Sequence, residues 1–309
     1  MIGKILGGIV GVIILLVAIS IFNYLNRDLA RTAIGKAKTV ANDDVEIAYW
    51  AISPPNASSN PTNSQTDTKI TPTVIMIPSL GRPASDFNEL AQSISEDGYP
   101  VLMVEPRGLV NKTGLQQPDI TLFDLAADIE AVRKAEQIDQ VVVLGHAFGN
   151  RVARSYATAY DDTCLATITV AAGGLHEIDG KTRTALIRSF WAFLPDFMRK
   201  PYVRHAFFAD SNPVPDYWMG GWYIDVSQAQ VRATTQTNVA DWWAAGTSPL
   251  LVIQGKQDTI APPKETGDAI QASYGDRVTL VTLDPAGHAL LPEQPDKILS
   301  ATLNFLGNL

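Results

Sequence analysis

Cysteine is all but missing from this chain of 309 residues: Cys164 stands alone, so no internal disulfide can form. Histidine is nearly as scarce, four in all and widely scattered, which excludes the clustered Cys/His spacing of a zinc site. Neither a metal nor a cofactor is expected. Positive charge is also in deficit. Lys and Arg number 24 against 32 Asp and Glu, a net charge of -8, whereas a nucleic-acid partner calls for clustered cations. Charged residues make up only 18% of the chain against 46% hydrophobic, a globular balance rather than a disordered one. The length suffices for one large α/β domain with an inserted subdomain.

One hydrophobic run is long. From Ile5 to Phe22 no charge interrupts about 18 residues, enough to span a bilayer with little tilt. Tyr24 beside it suits the membrane interface. A cleaved signal peptide would need a small-x-small site after the run, and none follows convincingly. Residues 1–26 are therefore expected to be an uncleaved, single-pass anchor, with the folded domain over 27–309. Gly3, Gly7 and Gly11 fall at four-residue spacing, which lets two such helices approach, although glycine is common in membrane helices generally. Lys4 precedes the span while Arg27, Arg31, Lys36 and Lys38 follow it, a bias that keeps the body in the cytoplasm. Retention of so short an N-tail inside would export it instead. Oligomeric state carries no signal here.

Beyond residue 40 strand patterns alternate with helical ones. Val45–Ile52, Val74–Ile77, Val101–Val104, Leu250–Ile253 and Val278–Leu283 read as strands, the short apolar ones central and parallel. Helices are expected over Asp86–Glu96, Thr121–Ala135 and Pro295–Leu306. Pro54–Thr71 is rich in Asn, Ser, Thr and Pro and predicts a long surface loop. Alternation of this kind implies a mostly parallel sheet covered by helices on both faces.

The apolar run Val141-Val142-Val143-Leu144 enters Gly145-His146-Ala147-Phe148-Gly149, the frame of a G-x-S-x-G nucleophile elbow with alanine where the serine should be. Gly255-Lys256-Gln257-Asp258 follows the strand at Leu250, Pro285-Ala286-Gly287-His288 follows the last strand, and Glu105-Pro106-Arg107-Gly108 follows an earlier one. Together these motifs resemble the α/β-hydrolase fold of capped esterases and lipases, over roughly residues 40 to 309. The resemblance implies an eight-stranded α/β sheet and a helical cap inserted at about residues 175–245, the stretch where Phe190, Trp191, Phe193, Phe197, Tyr202, Tyr217, Trp218, Trp222 and Tyr223 gather. It also implies roles. Asp258 would orient His288, His288 would act as base, and the Phe148 amide would donate to an oxyanion. Leu80 is the candidate for the second oxyanion amide, although Pro78-Ser79-Leu80-Gly81 stands where relatives carry His-Gly.

Plainer readings stand beside these. Asp258 and His288 could be a structural pair left from an active ancestor. His146 is expected to be packed and hydrogen-bonded, His176 and His205 to be ordinary polar residues, and Glu105 and Arg107 to make a structural ion pair or a turn contact, with a substrate contact as the lesser reading. Most cap aromatics should be core, with some lining an apolar pocket for a small hydrophobic molecule. Ser79 is the one hydroxyl that could substitute as nucleophile, but nothing in the sequence supplies its base.

Three accounts of Ala147 compete. It could be an engineered inactivation of a serine hydrolase. It could mark an enzyme in which the His288–Asp258 dyad activates water on an ester- or acyl-type substrate. Or the chain could be an inactive ligand-binding or scaffold protein. Pro-Ser-Leu-Gly-Arg together with Gly-His-Ala-Phe-Gly-Asn-Arg resembles a bacterial subgroup with a natural alanine at this position, which places the anchor in a bacterial inner membrane. A hydrolase-like activity that depends on His288 is the expectation.

Overall fold

The computed structural model describes residues 2–25, 31–55 and 71–309 of the chain. Eight strands, β1 (Lys36–Asn42), β2 (Val45–Ile52), β3 (Thr73–Ile77), β4 (Val101–Val104), β5 (Val141–His146), β6 (Cys164–Val170), β7 (Leu250–Gly255) and β8 (Val278–Leu283), form one sheet in the order β1-β2-β4-β3-β5-β6-β7-β8. β2 runs antiparallel to both β1 and β4, and every other pairing is parallel. Three of the expected helices are found, α2 (Asn88–Glu96), α3 (Leu122–Ala135) and α10 (Pro295–Gly307). α2 begins later than its sequence suggests, because Ala84–Phe87 winds as a tighter 3-10 turn. Thr121 caps α3 through a reciprocal pair with Asp124, which fixes its start.

β3 shows how the sheet divides the core. All five of its residues are buried, and alternate ones point to opposite faces. Val74 and Met76 join Leu90, Ile94, Ile298 and Phe305 of α2 and α10. Ile75 and Ile77 join Leu125 and Ile129 of α3 and Val152 and Tyr156 of α4 (Phe148–Ala159). β1 and β6 are the strands with the weakest individual signatures. β1 is a mostly exposed edge, and β6 mixes Thr into an apolar stretch.

Between β6 and β7 lie α5 (Gly180–Ser189), α6 (Asp196–Phe207), α7 (Ile224–Thr235) and the short α8 (Val239–Trp242), while α9 (Gly267–Tyr274) precedes β8. Phe190, Phe207, Phe208, Trp218 and Trp222 form a separate apolar cluster among these inserted helices. Trp218 and Trp222 pack edge-to-face with ring centroids 5.9 Å apart, a favoured aromatic geometry.

Residues Ile2–Leu25 form a helix, α1. Its described side chains cover residues 7–22, where large apolar groups from Ile9 to Phe22 lie exposed. Among the described residues no helix is long and apolar enough to cross a membrane. Gly7 and Gly11 have open space where a Cβ would project. The side chains of Gly3, Lys4, Tyr24 and Arg27 fall outside the described residues, as does 56–70 within the expected loop.

Candidate active site

The β5–α4 connection is an elbow with Ala147 at its apex, φ 50° and ψ -111°. A side chain in this region costs about 1–3 kcal/mol and persists only where neighbours over-determine it. Here they do. The Ala147 amide donates to the Val170 carbonyl at 2.8 Å, and the Ala147 carbonyl accepts from the Asn150 amide at 3.2 Å and from the Asn150 side chain. Two glycines make room. A Cβ on Gly145 would sit 2.3 Å from the Gly149 carbonyl oxygen, and one on Gly149 would sit 2.1 Å from that of Ile77. Strand and helix cross too closely for anything larger.

Asp258 leaves β7 and His288 follows β8, and the two meet. His288 Nδ1 lies 2.8 Å from Asp258 Oδ2, and both side chains are buried. The other carboxylate oxygen of Asp258 accepts from the amides of Ile260 at 2.9 Å and Ala261 at 2.8 Å. Acceptor-only occupancy of this kind suits an ionised carboxylate, with Nδ1–H of His288 donating to it and Nε2 left as the basic nitrogen. His146 lies behind. Its Nε2 is 3.1 Å from the His288 carbonyl, and burial, with His288 nearby, pushes its pKa down to about 3. His146 is thus a neutral strut, packed and hydrogen-bonded as expected.

Ala147, Phe148, Ser79, Leu80 and His288 line one cavity of about 190 Å³. The Phe148 amide opens α4, where an amide has no intrahelical acceptor. Neither it nor the Leu80 amide donates a hydrogen bond among the described residues. The Ser79 hydroxyl faces the same cavity with no hydrogen-bonded base among the described residues. The cap supplies the opposite wall through Leu186, Phe190, Phe207 and Val231. Gln230 of α7 accepts from the Gly81 amide at 2.7 Å, and the Tyr223 amide donates to the Gly81 carbonyl at 2.9 Å. Arg82 pairs with Asp86 at 2.7 Å and donates to the Gly220 carbonyl at 2.7 Å. Pro-Ser-Leu-Gly-Arg is therefore a loop pinned by the cap.

The profile of the Alpha/beta hydrolase family matches residues 74–301. The chain belongs to that family. No curated protein matches it at a significant level. Among solved structures, a membrane phospholipase A described as a bacterial virulence factor is similar over 99% of this chain and 97% of its own, at 17% identity and a TM-score of 0.70. A hydrolase from Pseudomonas aeruginosa is 20% identical over 88% of this chain and 99% of its own, TM-score 0.67. A carboxylesterase from Bacillus subtilis is 12% identical over 94% and 98%, TM-score 0.69. At such identities the likeness is one of fold.

Within this alpha/beta hydrolase some expected contacts are replaced by others. Glu105 and Arg107 do not pair. Arg107 instead forms a two-pronged bond with Asp128 of α3, both contacts at 2.7 Å, because the turn aims the guanidinium across to that helix. Glu105 accepts from the Ala84 amide at 3.0 Å. Burial, reinforced by Asp86, pushes its carboxyl up to about 8. His176, expected to be unremarkable, lines the cavity with Nδ1 2.5 Å from Glu265 Oε2. His205 lies in α6 and is not among the cavity residues. Arg151 also lines the cavity and has no signal in the motif itself, since its place is visible only once α4 is wound from the elbow. No group of His, Cys, Asp and Glu among the described residues could hold a metal ion.

Proposed function

We propose that this alpha/beta hydrolase cleaves a small hydrophobic ester- or acyl-type molecule without a serine nucleophile, using the His288–Asp258 dyad as a general base on water. The observation that carries the proposal is the dyad bonded at 2.8 Å beside a capped cavity that also holds two unclaimed amides. His288 Nε2 takes a proton from a water whose oxygen attacks the ester carbonyl carbon. The carbonyl oxygen gains the negative charge, which the Phe148 and Leu80 amides would stabilise. Asp258 stabilises the imidazolium that results. As the carbon–oxygen bond to the leaving group breaks, that alcohol oxygen takes the proton back from Nε2, and acid and alcohol leave.

Loss of a serine nucleophile costs roughly six orders of magnitude in turnover. Ala147 therefore removes the acyl-enzyme route while leaving a slower, water-based one. We further propose that α1 anchors the chain to a bacterial inner membrane. Its exposed apolar side chains and the likeness to a membrane phospholipase A along 99% of the chain support that reading. The subgroup with a natural alanine belongs to the same proposal.

Hydrolysis of a panel of short- and medium-chain esters, lactones and acidic C–H substrates by the parent chain and by His288→Ala tests the function. A drop of about 100-fold or more for His288→Ala on at least one ester is expected, the scale of general-base assistance. No difference on any substrate would refute the enzyme reading and favour an inactive, ligand-binding member of the family.

A further inference from the structure

Arg151 stands one helical turn beyond Ala147 on α4 and reaches the wall of the same cavity. It makes no hydrogen bond and no ion pair among the described residues. Its guanidinium lies beside the Trp242 ring, whose centroid is 5.5 Å from Cζ. The next turn carries Arg154, fully buried and held by Asn150 Oδ1 at 2.6 Å and by the Gly173 carbonyl. Rings of Trp242 and Trp243 lie 4.6 and 4.5 Å from its Cζ, and its Nε and Nη1 have no hydrogen-bond partner among the described residues. Among the described residues no carboxylate pairs with either guanidinium. Arg151 is half-buried, and the fully buried arginines other than Arg154 are treated differently: Arg82 has Asp86, Arg107 has Asp128 and Arg199 has Asp196.

Local electrostatics make this pair costlier still. The first turn of α4 contains no acid, and the amino end of a helix already carries positive partial charge. Burial holds Arg151 down to about 10, which still leaves it protonated at neutral pH. Burial and the nearness of Arg151 both push Arg154 down. A cation withdrawn from water without a counter-ion is unfavourable; tryptophan rings and neutral oxygens relieve that only in part, and no carboxylate among the described residues offsets it. An anion entering the cavity would.

The remaining wall fixes what that anion is attached to. Leu186, Phe190, Phe207, Val231 and Ile260 are apolar and face the cavity together. We propose that the cavity binds an amphiphile with a single oxyanion head, a carboxylate or a phosphate, seated on Arg151, and an apolar body running along the cap. This deepens the hydrolytic reading of the same cavity and rests on it in taking the amphiphile for the substrate. Guanidinium geometry suits either head, because its paired N–H donors match two oxygens of a carboxylate or of a phosphate.

Calorimetric titration of the full chain in a neutral detergent with hexanoate, hexyl phosphate and hexanol tests the subsite, detergent-only titrations being subtracted. At least one anion should bind roughly 10- to 100-fold more tightly than hexanol, the scale of a charge-assisted hydrogen bond. The better of the two identifies the head. Arg151→Gln should erase that preference while leaving hexanol binding in place, which also reports that the variant is folded. Arg151→Lys, which keeps the charge but not the fork, should retain part of it. Equal binding of anion and alcohol by the parent, no anion binding at all, or an undiminished preference in Arg151→Gln would overturn the proposal. Binding is read without turnover. A failed His288→Ala comparison with intact anion preference sinks the hydrolase alone, and the reverse result sinks the subsite alone.

Discussion

Ala147→Ser adds one oxygen to a backbone already bent for it. Serine and alanine place Cβ alike, so the strain at φ 50° is unchanged, and stability should move by less than about 1 kcal/mol. The new hydroxyl faces the cavity that His288 lines, and His288 is already oriented by Asp258 at 2.8 Å. A complete serine apparatus is worth about six decades in turnover, or about 8 kcal/mol at 1.36 kcal/mol per decade. One element is unlike the family's usual form, the Leu80 loop. Loss of one oxyanion donor costs about two to three decades. Even a Leu80 amide that contributed nothing would leave a gain of about a thousandfold. Stopped-flow hydrolysis of p-nitrophenyl butyrate, intact mass of the trapped acyl-enzyme and labelling by a fluorophosphonate probe measure it. A folded Ala147→Ser protein with neither burst nor label would refute the reasoning, because it would mean that His288 Nε2 and the elbow do not address the same point.

Two other outcomes follow from the geometry. Glu105 titrates near 8 when folded against an ordinary 4.5, so between those values the folded chain holds a proton that the unfolded one has released. Stability from this group therefore falls as pH rises through that window, by up to about 1.4 kcal/mol per unit. Glu105→Gln should flatten melting temperature against pH from 5 to 8, and an unchanged slope would place the dependence elsewhere. Gly149→Ala forces a Cβ to within 2.1 Å of the Ile77 oxygen and 2.7 Å of that of Pro78, both main-chain atoms that cannot swing away. A loss of about 3 kcal/mol in urea unfolding is expected, and a loss below about 0.5 kcal/mol would show that the elbow is looser than drawn.

Much of this was readable from residue patterns because it is local. β3 and β4 are short apolar runs, and such runs between turn signals are buried parallel strands. Gly145 and Gly149 flank the elbow in sequence as they do in space. Asp258 and His288 were visible through the resemblance, which implies an acid and a histidine in the turns that follow those two strands. What escaped is long-range or depends on helix phase. Arg107 finds Asp128, 21 residues away, and no local pattern distinguishes that acid from Glu105. His176 meets Glu265 across 89 residues. Arg151 enters the cavity only because α4 turns once between positions 147 and 151. β1 escaped because an exposed edge strand carries little apolar periodicity to read.

The loop that presents Leu80 is stitched to the cap by Gln230, by the Tyr223 amide and by Arg82, whose Cζ lies 4.7 and 4.6 Å from the Trp218 and Trp222 ring centroids. A cap built this way shares its bonds with the loop it covers. Lifting it would pull the Leu80 amide out of register at the moment a ligand arrived. A path that leaves these bonds intact runs along the flank where Val231 and Thr235 of α7 border the cavity and are open to solvent.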